Sequence, residues 1–145
     1  MKMKSLLLAV AALSGLVSLH AAEEVVGGPK GGRLLETEPL KAEFFVTTDR
    51  KVEIIFYDAA LKPTAPTTQT VTVNAEPKTG RTSLELEKTP TGFISKTALP
   101  AGDPYRVVVQ VRASPDAKPV NFRIELALHT CGECKRAEYA CVCGH

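Results

Sequence analysis

The chain has 145 residues, with 18 basic and 16 acidic side chains, four cysteines, two methionines and no tryptophan. A net charge near +2 provides no basic excess of the kind that nucleic acid or an anionic membrane surface would need, and the length suits one domain.

In chain order, the first segment is "MKMKSLLLAVAALSGLVSLHAA". Lys2 and Lys4 precede an uncharged, mostly apolar run from Leu6 to Leu19, and Ala21 and Ala22 supply small residues for a peptidase. This layout predicts a secretory signal peptide over residues 1–22, cleaved after Ala21 or Ala22. The run is shorter than the about 20 apolar residues of a membrane span. No cysteine adjoins the cleavage region to take a lipid. The expected location is therefore periplasmic or secreted, without membrane association after cleavage. Of the 18 basic residues, Lys2 and Lys4 leave with the signal, so sixteen face sixteen acids. Both methionines and His20 leave too, and the mature chain keeps only His129 and His145.

Residues 23–33 carry four glycines and a proline within "GGPKGG" and are expected to form a flexible lead-in; they lack the spacing and the strand–loop–helix setting of a phosphate loop. Residues 34–128 then show a two-residue period almost throughout. "LKAEFFVT" places Leu40, Ala42, Phe44 and Val46 on one face, and "KVEIIFYD" places Val52, Ile54 and Phe56 there, with Ile55 and Tyr57 opposite. "QTVTVNA", "TSLELEK" and a weaker "GFISKTAL" follow. "YRVVVQVR" turns Val107, Val109 and Val111 inward, and "VNFRIELAL" does so with Phe122, Ile124, Leu126 and Leu128. Proline- and glycine-rich segments separate these runs and break the ladders. About seven antiparallel strands of this kind predict an all-β, immunoglobulin-like sandwich with an aliphatic and phenylalanine core, since the Cys…Trp…Cys signature of antibody domains is absent.

The stretch "GGPKGGRLLETEPLKAEFFVTTDRKVEIIFYDAALKPTAP", roughly Gly27 to Pro66, resembles a segment near the N-terminus of periplasmic adaptor proteins of heavy-metal efflux pumps. It is also similar to small secreted bacterial proteins that consist of that β-sandwich alone. The resemblance implies a small sandwich and an association with metal handling, with a heavy-metal efflux system as partner.

The tail, residues 129–145, reads "HTCGECKRAEYACVCGH". Every Cys and His of the mature chain lies there, spaced His129-x-Cys131-x2-Cys134-x6-Cys141-x-Cys143-x-His145. Three chemistries fit this spacing. As a metal site, Cys131, Cys134, Cys141 and Cys143 supply four thiolates for Zn²⁺ or Cu⁺, with His129 and His145 as further ligands or supporting groups. Lys135 and Arg136 would offset the thiolate charge. As a disulfide framework in an exported protein, Cys131–Cys143 nested around Cys134–Cys141 is the more plausible pairing, because a Cys-x-Cys ring is tight; the chain would then be a stapled, non-catalytic interaction module. As a redox centre, Cys-Gly-Glu-Cys has the Cys-x-x-Cys spacing but lacks the helix N-terminus and βαβ setting of thiol oxidoreductases.

No enzymatic centre is expected. Asp49, Asp58 and Asp103 fall in predicted turns, and Ser83, Ser95 and Ser114 have no histidine within the sandwich to activate them. Tyr105, after "GDP", is expected to pin a loop through its hydroxyl. The favoured reading is an exported protein that binds or buffers zinc or copper through its tail.

Overall fold

The computed structural model describes residues 23–144, so the signal segment 1–22 and His145 lie outside the described residues. Among the described residues, alternating apolar side chains build ten antiparallel strands in two sheets. These are β1 (Val26–Gly27), β2 (Arg33–Leu35), β3 (Lys41–Val46), β4 (Val52–Tyr57), β5 (Thr70–Glu76), β6 (Thr82–Leu84), β7 (Leu86–Thr89), β8 (Gly92–Ser95), β9 (Tyr105–Arg112) and β10 (Val120–Leu126). The first sheet runs β1-β2-β3-β4-β8-β7 and the second β10-β9-β5-β6.

The order β3-β4-β8-β7 facing β10-β9-β5-β6 is the immunoglobulin order A-B-E-D facing G-F-C-C′. A second hallmark agrees. Tyr105 opens β9, the F strand, and its hydroxyl donates to the Pro100 carbonyl five residues upstream at 2.7 Å, as in a tyrosine corner. The sandwich predicted from periodicity is thus the observed fold, and the loop-pinning role expected of Tyr105 is its observed role.

Phe44, Ile54, Phe56, Val73, Val107 and Ile124 are fully buried between the sheets. Each sits on the face that its alternation assigned. "TSLELEK" differs from expectation. It divides at Glu85, with β6 in the second sheet and β7 in the first, so Leu84 and Leu86 reach the same core from opposite layers. The aspartates serve their turns. Asp58 Oδ1 accepts the N–H groups of Ala60 and Lys62, Asp49 takes the Thr47 hydroxyl, and Asp103 pairs with Arg50. Ser95 is fully buried, accepting the Val52 N–H and donating to the Thr97 carbonyl.

The glycine-rich residues expected as a flexible lead-in instead carry ordered structure. Val26 pairs with Leu34 and Gly27 with Arg33, which extends the first sheet beyond β3. The turn between β1 and β2 closes over Glu43, a fully buried carboxylate on the outer face of β3. Glu43 accepts the N–H groups of Gly32 at 2.7 Å and Lys30 at 3.1 Å and the Tyr57 hydroxyl at 2.6 Å. A Cβ on Gly28 would stand 2.2 Å from the Glu43 side chain, and one on Gly32 2.2 Å from the Phe44 carbonyl oxygen. The glycines are there because the backbone approaches β3 too closely for any side chain. Leu34, Ile55 and Tyr57, with Phe45 beside them, form a small second cluster on this outer face. Ile55 and Tyr57 are therefore buried although they point away from the main core.

Candidate metal centre

After β10 the chain does not trail away. Thr130 and Ala137 form an antiparallel bridge, so residues 130–137 make a miniature hairpin with the Cys-Gly-Glu-Cys stretch at its turn. Within it the Cys131 N–H donates to the Arg136 carbonyl at 2.8 Å, and the Lys135 N–H donates to the Cys131 carbonyl at 3.1 Å. Lys135 takes a left-handed conformation, φ 60°, that curls the backbone around Cys134. A single 3-10 turn, Glu138–Ala140, then delivers Cys141 and Cys143 to the same place.

The 3-10 turn is anchored in the sandwich. Tyr139 and Ala140 are buried members of the main core. The Tyr139 ring meets Phe44 edge-on, with centroids 5.4 Å apart. Val46 N–H, beyond the residues of β3 that pair with β2, donates to the Tyr139 hydroxyl at 3.0 Å. The Tyr139 N–H donates to Ala127 O and the Glu138 N–H to His129 O. Arg136 reaches the other way, its Nη1 lying 3.4 Å from Gly28 O and 3.3 Å from Gly32 O. Its guanidinium therefore ties the tail to the glycine turn, and Lys135 Nζ donates to Gly132 O. In these hydrogen bonds both side chains contact backbone carbonyls.

These anchors bring the four cysteine sulfurs within 4.8 Å of one another. Cys131–Cys141 measures 3.3 Å, Cys134–Cys141 3.6 Å and Cys131–Cys143 3.9 Å between sulfurs. A tetrahedral ion with metal–sulfur bonds of about 2.3 Å holds its sulfurs about 3.8 Å apart, so the observed separations bracket that value. No disulfide joins these four cysteines, and the shortest separation between their sulfurs exceeds the about 2.05 Å of a disulfide.

Cys131 and Cys141 are buried, while Cys134 and Cys143 are half-buried and reach solvent. The N–H groups of Arg136 and Val142 hydrogen-bond to the Cys134 sulfur and, with its sulfur neighbours, hold this thiol down at about 6. Burial pushes Cys143 up, and the other sulfurs and Glu133 add to the rise. Cys141 is drawn down by the Cys143 N–H, yet burial together with Cys131 and Cys134 leaves it raised. This pattern suits thiolate ligation, in which one sulfur is ready ionised and its neighbours lose protons as an ion replaces them.

His129 does not join the group of four. Its ring is 71% exposed and its Nε2 lies 3.8 Å from Glu138 Oε2. His145, the other expected ligand, lies outside the described residues. Beside the cluster, a cleft runs between the N-terminal residues and the tail, lined by Glu23, Glu24, Glu138, Cys141 and Val142. Sequence reasoning identified the four sulfurs but missed Tyr139, whose one signal was an aromatic residue isolated in a polar tail. The chain matches no known protein family, no curated protein and no solved structure.

Proposed function

We propose that this is an exported, non-catalytic protein that binds and buffers a soft or borderline metal ion, Zn²⁺ or Cu⁺, through Cys131, Cys134, Cys141 and Cys143. The observation that carries the proposal is the convergence of four cysteine sulfurs within 4.8 Å. Scattered structural cysteines have no reason to converge, whereas a closed four-thiolate shell needs this spacing. Thiolates select zinc and monovalent copper over hard cations. Export is supported by the charged, apolar and small-residue order of residues 1–22. A place beside heavy-metal efflux is supported by the resemblance of Gly27 to Pro66 to the adaptor segment.

The test is anaerobic titration of the reduced protein with Zn²⁺ and with Cu⁺ against a competing chelator. One ion per chain, bound far more tightly than by a Cys131→Ser/Cys134→Ser variant, is the expected result. If neither ion distinguishes the two proteins, the metal site is wrong. Two disulfides found by mass spectrometry in protein taken directly from the cell envelope would then favour the stapled interaction module.

A further inference from the structure

Structural zinc sites close a segment that has no core of its own, and the segment unfolds when the ion leaves. The tail of this chain is built differently. Its fold is held by groups that are not ligands: Tyr139 and Ala140 in the core, the Tyr139 hydroxyl on Val46 N–H, the Tyr139 N–H on Ala127 O, and Arg136 on the glycine turn. The sulfur cage is also asymmetric. Cys131 and Cys141 face inward, and Cys134 and Cys143 reach solvent. Val142, between two ligands, is 47% exposed, and open space surrounds the Cβ positions of Gly132 and Gly144. Among the described residues, the outer edge of the cage stays open to solvent.

We infer that the bound ion is exchangeable cargo, passed to a thiol-bearing acceptor by ligand exchange at the outer sulfurs Cys134 and Cys143 while Cys131 and Cys141 hold the ion from within. The inference rests on the metal-binding reading above. In each step an incoming thiol gives up its proton as its sulfur bonds to the ion. The bond from the ion to Cys143 or Cys134 breaks, and the released sulfur takes up a proton. No electron moves. A second exchange leaves the ion shared between Cys131, Cys141 and the two acceptor sulfurs; the bonds to Cys131 and Cys141 then break, these sulfurs take up protons from solvent, and water or further acceptor thiols fill the two vacated positions. Two neighbouring thiols on the acceptor would match the two outer positions, so a reduced Cys-x-x-Cys segment is the acceptor chemistry the geometry fits.

The experiment begins with the zinc-loaded protein, with one ion per chain established first. Zinc transfer to a reduced Cys-x-x-Cys peptide is followed by stopped flow over a range of peptide concentrations. In parallel, a limiting amount of N-ethylmaleimide is applied and the alkylated cysteines are mapped by mass spectrometry. The expected outcome has three parts. The transfer rate rises in proportion to peptide concentration. Cys134 and Cys143 are alkylated about tenfold faster than Cys131 and Cys141, because access governs thiol reactivity. The near-UV circular dichroism of the tyrosines is the same with and without zinc. A rate independent of peptide concentration, uniform alkylation, or loss of the tyrosine signal with the ion would each overturn the inference and make the site a structural staple, with zinc binding left standing. Failure to load zinc at all would remove the metal reading itself.

Discussion

Replacement of Tyr139 by alanine tests whether the tail belongs to the domain. The side chain is 5% exposed, contacts Phe44 edge-on and accepts the Val46 N–H. Burying about 150–200 Å² at about 25 cal/mol/Å² corresponds to about 4–5 kcal/mol, of which alanine keeps only the Cβ portion. The edge-on ring pair contributes about 1 kcal/mol beyond area, and the hydrogen bond about 1 kcal/mol. Part of the cavity will collapse, so the expected loss for Tyr139→Ala is about 3–5 kcal/mol, the range for deleting a buried aromatic ring. Tyr139→Phe keeps the ring and should lose about 1 kcal/mol.

The assay is urea unfolding of the reduced, chelator-treated protein followed by far-UV circular dichroism, so that no bound ion contributes. A shift in midpoint at constant slope reads stability directly. Against a domain stability of about 5–15 kcal/mol, Tyr139→Ala should remain folded but marginal. Truncation after His129, which removes both Tyr139 and Ala140, should be at least as damaging. That outcome would narrow the expectation that residues 34–128 form the whole sandwich domain. A loss below about 1 kcal/mol for Tyr139→Ala would show that the 3-10 turn is not seated in the core. The anchoring argument for an exchangeable ion would fall with it.

Zinc binding at pH 7 should release at least two protons per ion, because the Cys141 and Cys143 thiols are held above their ordinary values and must ionise on ligation. Titration calorimetry in buffers of different ionisation enthalpy measures this number. Cys134 is already a thiolate above about 6 and adds its proton to the release only below that pH. Affinity should therefore fall on acidification and fall more steeply below about 6. His129→Ala should change zinc affinity by less than about fivefold, because an exposed ring paired at 3.8 Å with Glu138 contributes at most about 1 kcal/mol; competition titration against a chelator decides. Gly28→Ala should destabilise by about 2 kcal/mol or more, since the added Cβ overpacks a position 2.2 Å from a carboxylate held by its hydrogen bonds. Thermal unfolding checks it.

Periodicity made the sandwich legible because a half-buried strand imposes a two-residue repeat on its own sequence. Phe44, Ile54 and Val107 could be assigned to the core without knowing their partners. The same rule is silent on the burial of Glu43. Alternation put it on the outward face, which is correct, but outward did not mean solvated: the glycine turn lies over it. Nothing within the β3 sequence encodes that cover. "TSLELEK" failed for a related reason, since a strand that changes sheets at Glu85 keeps an unbroken alternation. The four-cysteine cluster was legible because two short spacings are local, whereas the place of His129 depends on where the tail docks.

The two segments that periodicity could not read, the glycine-rich turn and the cysteine-rich tail, meet in the structure. Arg136 follows Cys134 by two residues and reaches Gly28 O and Gly32 O, and a Cβ on Gly27 would stand 2.8 Å from its Cζ. On the opposite face of β3, Tyr139 packs on Phe44. Each segment is irregular because it is shaped to a tertiary surface rather than to a repeat. Together they hold β3 from both faces, with Glu43 beneath the turn and Phe44 beneath the tyrosine. The sulfur cluster is therefore positioned by the sandwich through groups other than its own sulfurs, and that preorganisation is what the proposed exchange of an ion without unfolding requires.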